Sequence, residues 1–257
     1  MNCCVIIPCF NHAATLPAVA QAAREHCPVL IVDDGSTVPL PPVPGCLALR
    51  LDRRRGKGSA LQLGFQRARE LGYSHGITLD ADGQHCAADL PQFLCAARQH
   101  NRSFLVGIRD LQAAGCPVGR RWANRFSSFW FRVGTGMRLA DTQCGFRCYP
   151  LELTQELHTR SGGFALEYEF LVRACWTGRA LIPLPVRCSY LPEQLRQSQF
   201  RPGRDLTRLT LLNLVLLLQF WFVPQSLRQA WSRGEKTSWR TIINALFARP
   251  SLPPAPP

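Results

Sequence analysis

Ile77-Thr78-Leu79-Asp80-Ala81-Asp82-Gly83-Gln84-His85 is a short apolar run that ends in two carboxylates at i and i+2, with a small residue between them. Side chains two apart on an extended segment share a face. The pair therefore makes a hard, oxygen-rich pocket that suits Mg²⁺ or Mn²⁺ together with phosphates. Alone, Asp-x-Asp is common, and most copies are solvated loop acids. Here a second acidic strand end, Asp33-Asp34-Gly35-Ser36, stands upstream after Val29-Leu30-Ile31-Val32. Two such ends in one alternating pattern point to the ligand edge of an α/β sheet.

Outward from this stretch, residues 1–110 alternate strand and helix signals. Strands are expected at 4–7, 29–32, 47–51, 77–79 and 104–106. Asn11 is expected to cap a helix reaching residue 24, with Leu16, Val19, Ala20 and Ala23 on one face and Pro17 tolerated in its first turn. Leu61, Gly64, Phe65 and Ala68 mark the inner face of a second helix ending near Gly72, and Leu90, Phe93, Leu94 and Ala97 that of a third. This βαβα order predicts a mostly parallel, doubly wound sheet with helices on both faces. Ligands of such sheets bind outside the carboxyl ends of the strands, and both acidic ends fall on that edge.

The second half is less regular. Residues 120–133 read as a helix whose stripe of Phe126, Phe129, Trp130 and Val133 faces either core or lipid. A helix over 166–175 and an extended segment over 181–190 follow. Residues 206–223 are strongly apolar, and the uncharged run from Leu209 to Val223 falls short of the roughly 20 residues that span a bilayer. Arg204, Arg208 and Arg228 flank it and Trp221 sits near one end, so it reads as an interfacial or re-entrant helix. The expected organisation is a catalytic domain over 1–205, a membrane-associated helical region over 206–249 and a disordered Pro-rich tail over 250–257.

The chain has 257 residues and a formal net charge of +13, from 30 Lys and Arg against 17 Asp and Glu. That excess suits a polyanionic partner: nucleic acid, an anionic membrane face or phosphorylated substrates. The apolar run and the acidic strand ends speak against a nucleic-acid module. The 12 cysteines are scattered and form no Cys-x-x-Cys pair, which argues against zinc. Several, such as Cys3, Cys4, Cys95 and Cys175, sit in apolar runs and read as buried reduced thiols, hence a reducing compartment. The first residues enter a strand-like run with no basic or long apolar lead, so no signal peptide is expected.

An ordered set of motifs carries the chemistry. It runs Pro8-Cys9-Phe10-Asn11-His12, Asp33-Asp34-Gly35-Ser36, Arg55-Gly56-Lys57-Gly58, Asp80-Ala81-Asp82-Gly83-Gln84-His85, Gly107-Ile108-Arg109, Asp141-Thr142-Gln143-Cys144-Gly145-Phe146-Arg147 and Glu167-Tyr168-Glu169. Over residues 3–205 this order resembles the family 2 glycosyltransferases of GT-A fold, and within them the dolichol-phosphate mannosyltransferase and polyprenyl-phosphate glycosyltransferase branch. Each motif is weak alone; the order is specific.

The resemblance implies that Pro8, Phe10, Asn11, Asp33 and Asp34 hold the nucleoside, with Lys57 as part of a basic turn near the nucleotide. Asp80, Asp82 and Gln84, with Ala81 between the acids, would hold a Mg²⁺ or Mn²⁺ ion on the diphosphate. Arg109 and Arg121 match phosphate-binding positions, and Arg120 fits the second nearly as well. Asp82, Asp141 and Arg121 are the implied catalytic residues. Ser198 and Arg201, with Arg204, lie in a loop that would hold the acceptor phosphate; the alternative reading, a basic juxtamembrane stretch on anionic lipid headgroups, accounts for the arginines but not for Ser198. The family usually has an acid where this chain has His12, which leaves the reading of base or ribose open. Arg55-Gly56-Lys57-Gly58-Ser59 lacks the earlier glycine of a phosphate loop and does not read as an ATPase site. Cys144 and Cys148, four apart, read as packing rather than redox residues.

The expected activity is inverting transfer of a sugar from a nucleoside diphosphate to a lipid-linked acceptor, a polyprenyl phosphate, at the cytoplasmic membrane face. Self-association into a homo-oligomer is left open. Two rivals stand: transfer to a lipid hydroxyl, for which Asp141, Glu167 or Glu169 would act as general base, and nucleotidyl transfer, which releases pyrophosphate.

Overall fold

The computed structural model describes residues 2–112, 115–159, 161–190, 202–235 and 238, the side chains of 202–206 and 208 excepted. Seven strands form one sheet: β1 (Cys3–Cys9), β2 (Val29–Asp33), β3 (Leu47–Arg50), β4 (His75–Thr78), β5 (Phe104–Arg109), β6 (Arg147–Pro150) and β7 (Leu181–Val186). Their order across the sheet is β3-β2-β1-β4-β6-β5-β7. All pairs are parallel except those of β6, which runs antiparallel to both β4 and β5.

β1 and β2 are buried along their whole length. A continuous apolar run is what a central parallel strand needs, because helices cover both of its faces. Alternate residues feed two cores. Ile6, Leu30 and Val32 pack with α2 (Lys57–Glu70) and α6 (Ala165–Trp176) on one face. Val5, Ile7 and Ile31 pack with α1 (Leu16–Arg24) and α3 (Leu90–Gln99) on the other. Gly64 of α2 lies directly on Ile6, where a Cβ would overlap the Ile6 side chain.

Between β5 and β6 stands α4 (Val118–Thr135), and α5 (Leu151–Glu156) follows β6. α7 (Pro202–Phe222) packs beside α4 and α6, and α8 (Gln225–Ser232) returns onto α6. Leu216 of α7 is buried in the core, with Leu209, Leu212 and Phe220 packed around it. Its other side leaves Leu211, Leu214, Leu218, Trp221 and Phe222 exposed. No described helix is long and apolar enough to cross a membrane.

Two expectations are corrected, and one open alternative is decided. Asn11 does not cap α1, which starts at Leu16 after Thr15. Instead Asn11 takes a left-handed turn with φ 58°, and its Oδ1 accepts from the Thr37 amide at 2.9 Å. The stripe on α4 leaves Phe126 and Phe129 exposed, as is Trp122, with Trp130 and Val133 half-buried, while Phe131 points inward. Cys95 is exposed, although Cys3, Cys4, Cys9, Cys116, Cys144 and Cys148 are buried free thiols. β6 and α5 had no counterpart in the sequence reading.

Candidate functional site

The carboxyl ends of β1, β2, β4 and β5 open on one cleft of about 1500 Å³. β6 runs the other way, so the loop that leads into it, 141–146, reaches the same edge.

The acidic loop is built first by backbone ties. Leu79 N–H donates to Ile6 O at 3.1 Å, which carries the sheet pairing up to Asp80. The Thr15 hydroxyl donates to Ala81 O at 2.6 Å, and the Thr78 hydroxyl to Gly145 O at 2.7 Å. Gly145 rests against the Asp80 carboxylate so closely that a Cβ there would overlap it.

Lys57 Nζ lies 2.7 Å from Asp80 Oδ1 and 2.9 Å from Glu167 Oε2. Burial disfavours charge on Lys57 and Asp80, yet the pairing of the ammonium with its carboxylate partners overrides it. Lys57 is held well above its ordinary range, and Asp80 is pulled down to about 2. Asp82 goes the other way: burial and then the neighbouring Asp80 charge raise its proton affinity. Its oxygens accept from the Gln84 amide N–H at 3.0 Å and from Gln84 Nε2 at 2.6 Å. Two half-buried carboxylates that repel one another are an incomplete cation site. Asp80, Asp82 and Gln84 offer only hard oxygens from one loop, a donor set that fits Mg²⁺ or Mn²⁺. No group of three or more His, Cys, Asp or Glu is gathered for a metal among the described residues, so an ion here needs diphosphate oxygens and water to complete its shell.

Asp141 is fully buried behind this loop. Arg109 grips it with Nε on Oδ2 at 2.7 Å and Nη2 on Oδ1 at 3.0 Å, a bidentate pair. Arg109 Nη1 also donates to the Tyr190 hydroxyl at 3.2 Å. Burial alone would weaken the guanidinium, but Asp141 pushes its proton affinity up, so a fixed cation faces the cleft. Arg120 lines the cleft and lies 6.0 Å over the Tyr190 ring. Arg121 does not line it and is half-buried, its Nε without a partner among the described residues.

His85, buried on the other flank of the acidic loop, packs edge-on to Phe146 at 5.7 Å. Burial lowers its basicity to about 4. Arg147, fully buried, donates to the carbonyls of Cys144, Thr142 and Glu167 at 2.7, 2.8 and 2.7 Å. It is therefore a strut that ties the 141–146 loop to the first turn of α6.

At the β1 and β2 end, Pro8 and Phe10 line the cleft, and the Arg54 guanidinium lies 4.2 Å over the Phe10 ring. Asp34 lines it too, accepting from the amides of Arg55 and Gly56 at 2.7 and 2.8 Å. Asp33 does not: its oxygens are taken by the Ser36 amide and hydroxyl at 2.8 and 2.6 Å and by Arg50 at 3.0 Å. Asn11 stands beside it, tied to Ser36 and Thr37.

The structure thus gathers Pro8, Phe10, Asp34, Lys57, Asp80, Ala81, Asp82, Gln84 and Arg109 around one cleft. It sets Asn11, Asp33, Arg121 and Asp141 outside the lining. Ser198 and Arg201 lie outside the described residues. Sequence reasoning passed over Tyr190 and Arg54. The only signal for Tyr190 was its place just beyond the last strand, and an arginine in the run Arg53-Arg54-Arg55 carries no sign of which member faces a ring.

A family model described as Glycosyl transferase family 2 matches residues 4–151. An undecaprenyl-phosphate mannosyltransferase of Micrococcus luteus is 25% identical over 220 residues, covering 79% of this chain and 89% of that protein. A polyprenol monophosphomannose synthase of Mycolicibacterium smegmatis is 28% identical over 204 residues, covering 71% and 75%. Among solved structures, glucosyl-3-phosphoglycerate synthase from Mycobacterium tuberculosis, in complex with Mn²⁺, uridine diphosphate and glucosyl-3-phosphoglycerate, superposes with a TM-score of 0.58. That likeness carries 16% identity over 87% of this chain and 81% of the other, and at that identity it establishes the shared GT-A fold.

Proposed function

The chain belongs to glycosyl transferase family 2, and from that premise we propose that it moves a sugar from a nucleoside diphosphate sugar to a polyprenyl phosphate, with inversion at the anomeric carbon. The observation that carries this reading is the two-sided character of the cleft. At one end stand Asp80, Asp82, Lys57 and Arg109; the other wall is α7, through Leu209, Leu212, Val215 and Leu216. A charged donor and an isoprenoid acceptor need such a pair of walls. The names of both relatives specify a polyprenyl or polyprenol phosphate chemistry.

In this mechanism Pro8 and Phe10 receive the nucleoside. Asp80, Asp82 and Gln84 would hold a Mg²⁺ or Mn²⁺ ion, which when bound neutralises the departing diphosphate. Arg109, fixed by Asp141, and Arg120 add positive charge where the acceptor phosphate and the leaving group meet. Rigid cations that need no reorganisation during the reaction are the main source of rate. Attack comes in line from the face opposite the diphosphate, so an α-linked donor gives a β-linked product. A phosphate acceptor is already an anion and needs no general base. Two of the three candidate bases are already engaged: both oxygens of Asp141 are held by Arg109, and those of Glu169 by Arg173 and the Ser161 amide, while Glu167 keeps Oε1 unpartnered among the described residues.

The acceptor would arrive from the bilayer, at its cytoplasmic face. Exposed Trp122, Phe126 and Phe129 on α4 and Leu218, Trp221 and Phe222 on α7 support this placement, since large apolar patches mark membrane or protein contacts.

The test is a panel of nucleoside diphosphate sugars with a polyprenyl phosphate in vesicles, the product lipid weighed by mass spectrometry. The expected outcome is a lipid heavier by one sugar, with release of a nucleoside diphosphate. Transfer to a polyprenol instead, or release of pyrophosphate, would overturn the reading.

A further inference from the structure

We propose that Glu167 is a specificity-determining residue that receives a hydroxyl of the donor's sugar. The proposal rests on the glycosyl-transfer reading of the cleft and adds which group selects the sugar.

Glu167 stands on the first turn of α6 and lines the cleft while only 6% exposed. Its position is fixed twice. Arg147 Nη1 donates to its carbonyl at 2.7 Å, and Lys57 holds Oε2 at 2.9 Å. The other oxygen, Oε1, is buried and has no hydrogen-bond partner among the described residues. A buried carboxylate oxygen left without a donor is costly, and such an atom in a cleft wall points to a ligand that supplies one.

The chemistry of a nucleoside diphosphate sugar narrows the choice. Diphosphate oxygens only accept hydrogen bonds and carry like charge, so they cannot serve. The base and ribose belong to β1 and β2, where Phe10 and Asp34 stand. Glu167 is joined to Asp80 through Lys57, which bonds both carboxylates, so its free oxygen lies by the proposed diphosphate site. The donors left next to the diphosphate on that side are sugar hydroxyls. A charged acceptor built to receive a hydroxyl discriminates strongly against the analogue that lacks it. The implied substrate class is a pyranose carrying a free hydroxyl at the contacted carbon.

A rival account joins Oε1 through a buried water to the hydroxyl of Tyr149, which is also buried and unpartnered among the described residues. Under that account the sugar is not read by Glu167.

The experiment compares the donor identified by the panel with its set of monodeoxy-sugar analogues, in the full chain, with wild type, Glu167→Ala and Glu167→Gln. Dissociation constants by calorimetry read the contact without any acceptor, and kcat/KM reads it in transfer. Wild type is expected to lose about 100-fold or more in kcat/KM for one analogue. Glu167→Ala is expected to bind the parent nucleoside diphosphate within a few-fold of wild type, yet to treat parent and analogue alike. Glu167→Gln keeps the shape and retains part of the discrimination, which guards against a misfolded alanine variant. The proposal is overturned if Glu167→Ala discriminates as wild type does, or if only a 2′-deoxyribose donor is sensitive. A uniform loss of kcat for every donor would overturn it too, as the mark of a general base. If no donor supports transfer while the binding difference persists, the glycosyl-transfer reading fails and the contact stands.

Discussion

Arg109 grips both carboxylate oxygens of Asp141, and Oδ1 also accepts from the Gln143 amide at 3.1 Å, in a pair whose acid is fully buried and whose base faces the cleft. The acid thereby orients a cation and is not presented as a base. Asp141→Asn keeps the shape and removes the charge that fixes the guanidinium. Transfer to a polyprenyl phosphate is expected to fall about 10- to 100-fold, as for other orienting partners, rather than to vanish. Initial rates with saturating donor check this, and complete loss would revive a hydroxyl acceptor.

Asp80→Ala and Asp82→Ala bear on the centre of the proposed mechanism. Each removes a hard oxygen from the cation site, and Asp80→Ala also leaves Lys57 with one carboxylate partner. Loss of several kcal/mol of leaving-group stabilisation corresponds to about 1000-fold or more in rate. Both variants retaining metal-stimulated transfer and donor hydrolysis would remove the assignment.

Gly145→Ala tests the close approach of two loops. The added methyl group meets the Asp80 carboxylate, so the acid must swing away from Lys57. Activity is expected to drop about 100-fold while the melting temperature changes little, because the displaced side chain borders an open cleft. Circular dichroism melts beside transfer rates separate the two.

His85 gives the protein an acid limb. It is buried neutral, its basicity lowered to about 4 by desolvation together with the repulsion of Arg109 and Lys57, against the attraction of Asp80 and Asp141. Between pH 6.5 and about 4 the unfolded chain binds a proton that the folded chain refuses. Stability from this group is therefore complete above pH 6.5 and falls by about 1.4 kcal/mol per pH unit below it. Urea midpoints measured from pH 7 to 4 should show that slope in wild type and a shallower one in His85→Gln.

Paired changes on the exposed helix faces address membrane docking. Trp122→Ser with Phe129→Ser, or Trp221→Ser with Phe222→Ser, removes apolar area worth roughly 1.5–3 kcal/mol per ring if it inserts. Sedimentation with anionic vesicles is expected to weaken about 10-fold or more. Transfer to a short, water-soluble polyprenyl phosphate should stay near wild type.

The parallel half of the sheet was legible because its strands are buried on both faces and so read as unbroken apolar runs; β1 and β2 are examples. β6 was not legible. Arg147, Tyr149 and a proline stand in a four-residue strand, and the buried arginine is tolerated because three carbonyls, two in the preceding loop and one on α6, receive it. Asn11 misled for a related reason: a helix cap and a tie to Thr37 look alike until the second loop is in place. The stripe on α4 was visible as a period, but a period does not say which side is the core. In the site, the cleft-lining acids and Lys57 were named from order alone. The sharing of Lys57 between Asp80 and Glu167, and the burial of Asp141 behind Arg109, arise from contacts across dozens of residues and left no local trace.

The reversed strand has a consequence for how this molecule can change. β5 and β6 are neighbours running in opposite directions, so what joins them is topologically a hairpin, and α4 is an insert in its loop. A parallel pair would demand a right-handed crossover of set geometry; a hairpin loop carries no such demand. The helix bearing Arg120, Trp122 and Phe126 can lengthen, shorten or be exchanged while the pairing of Leu105 with Cys148 keeps its register. In the proposed mechanism the acceptor side is thus a replaceable cassette, spliced into a sheet whose donor edge is held by parallel strands.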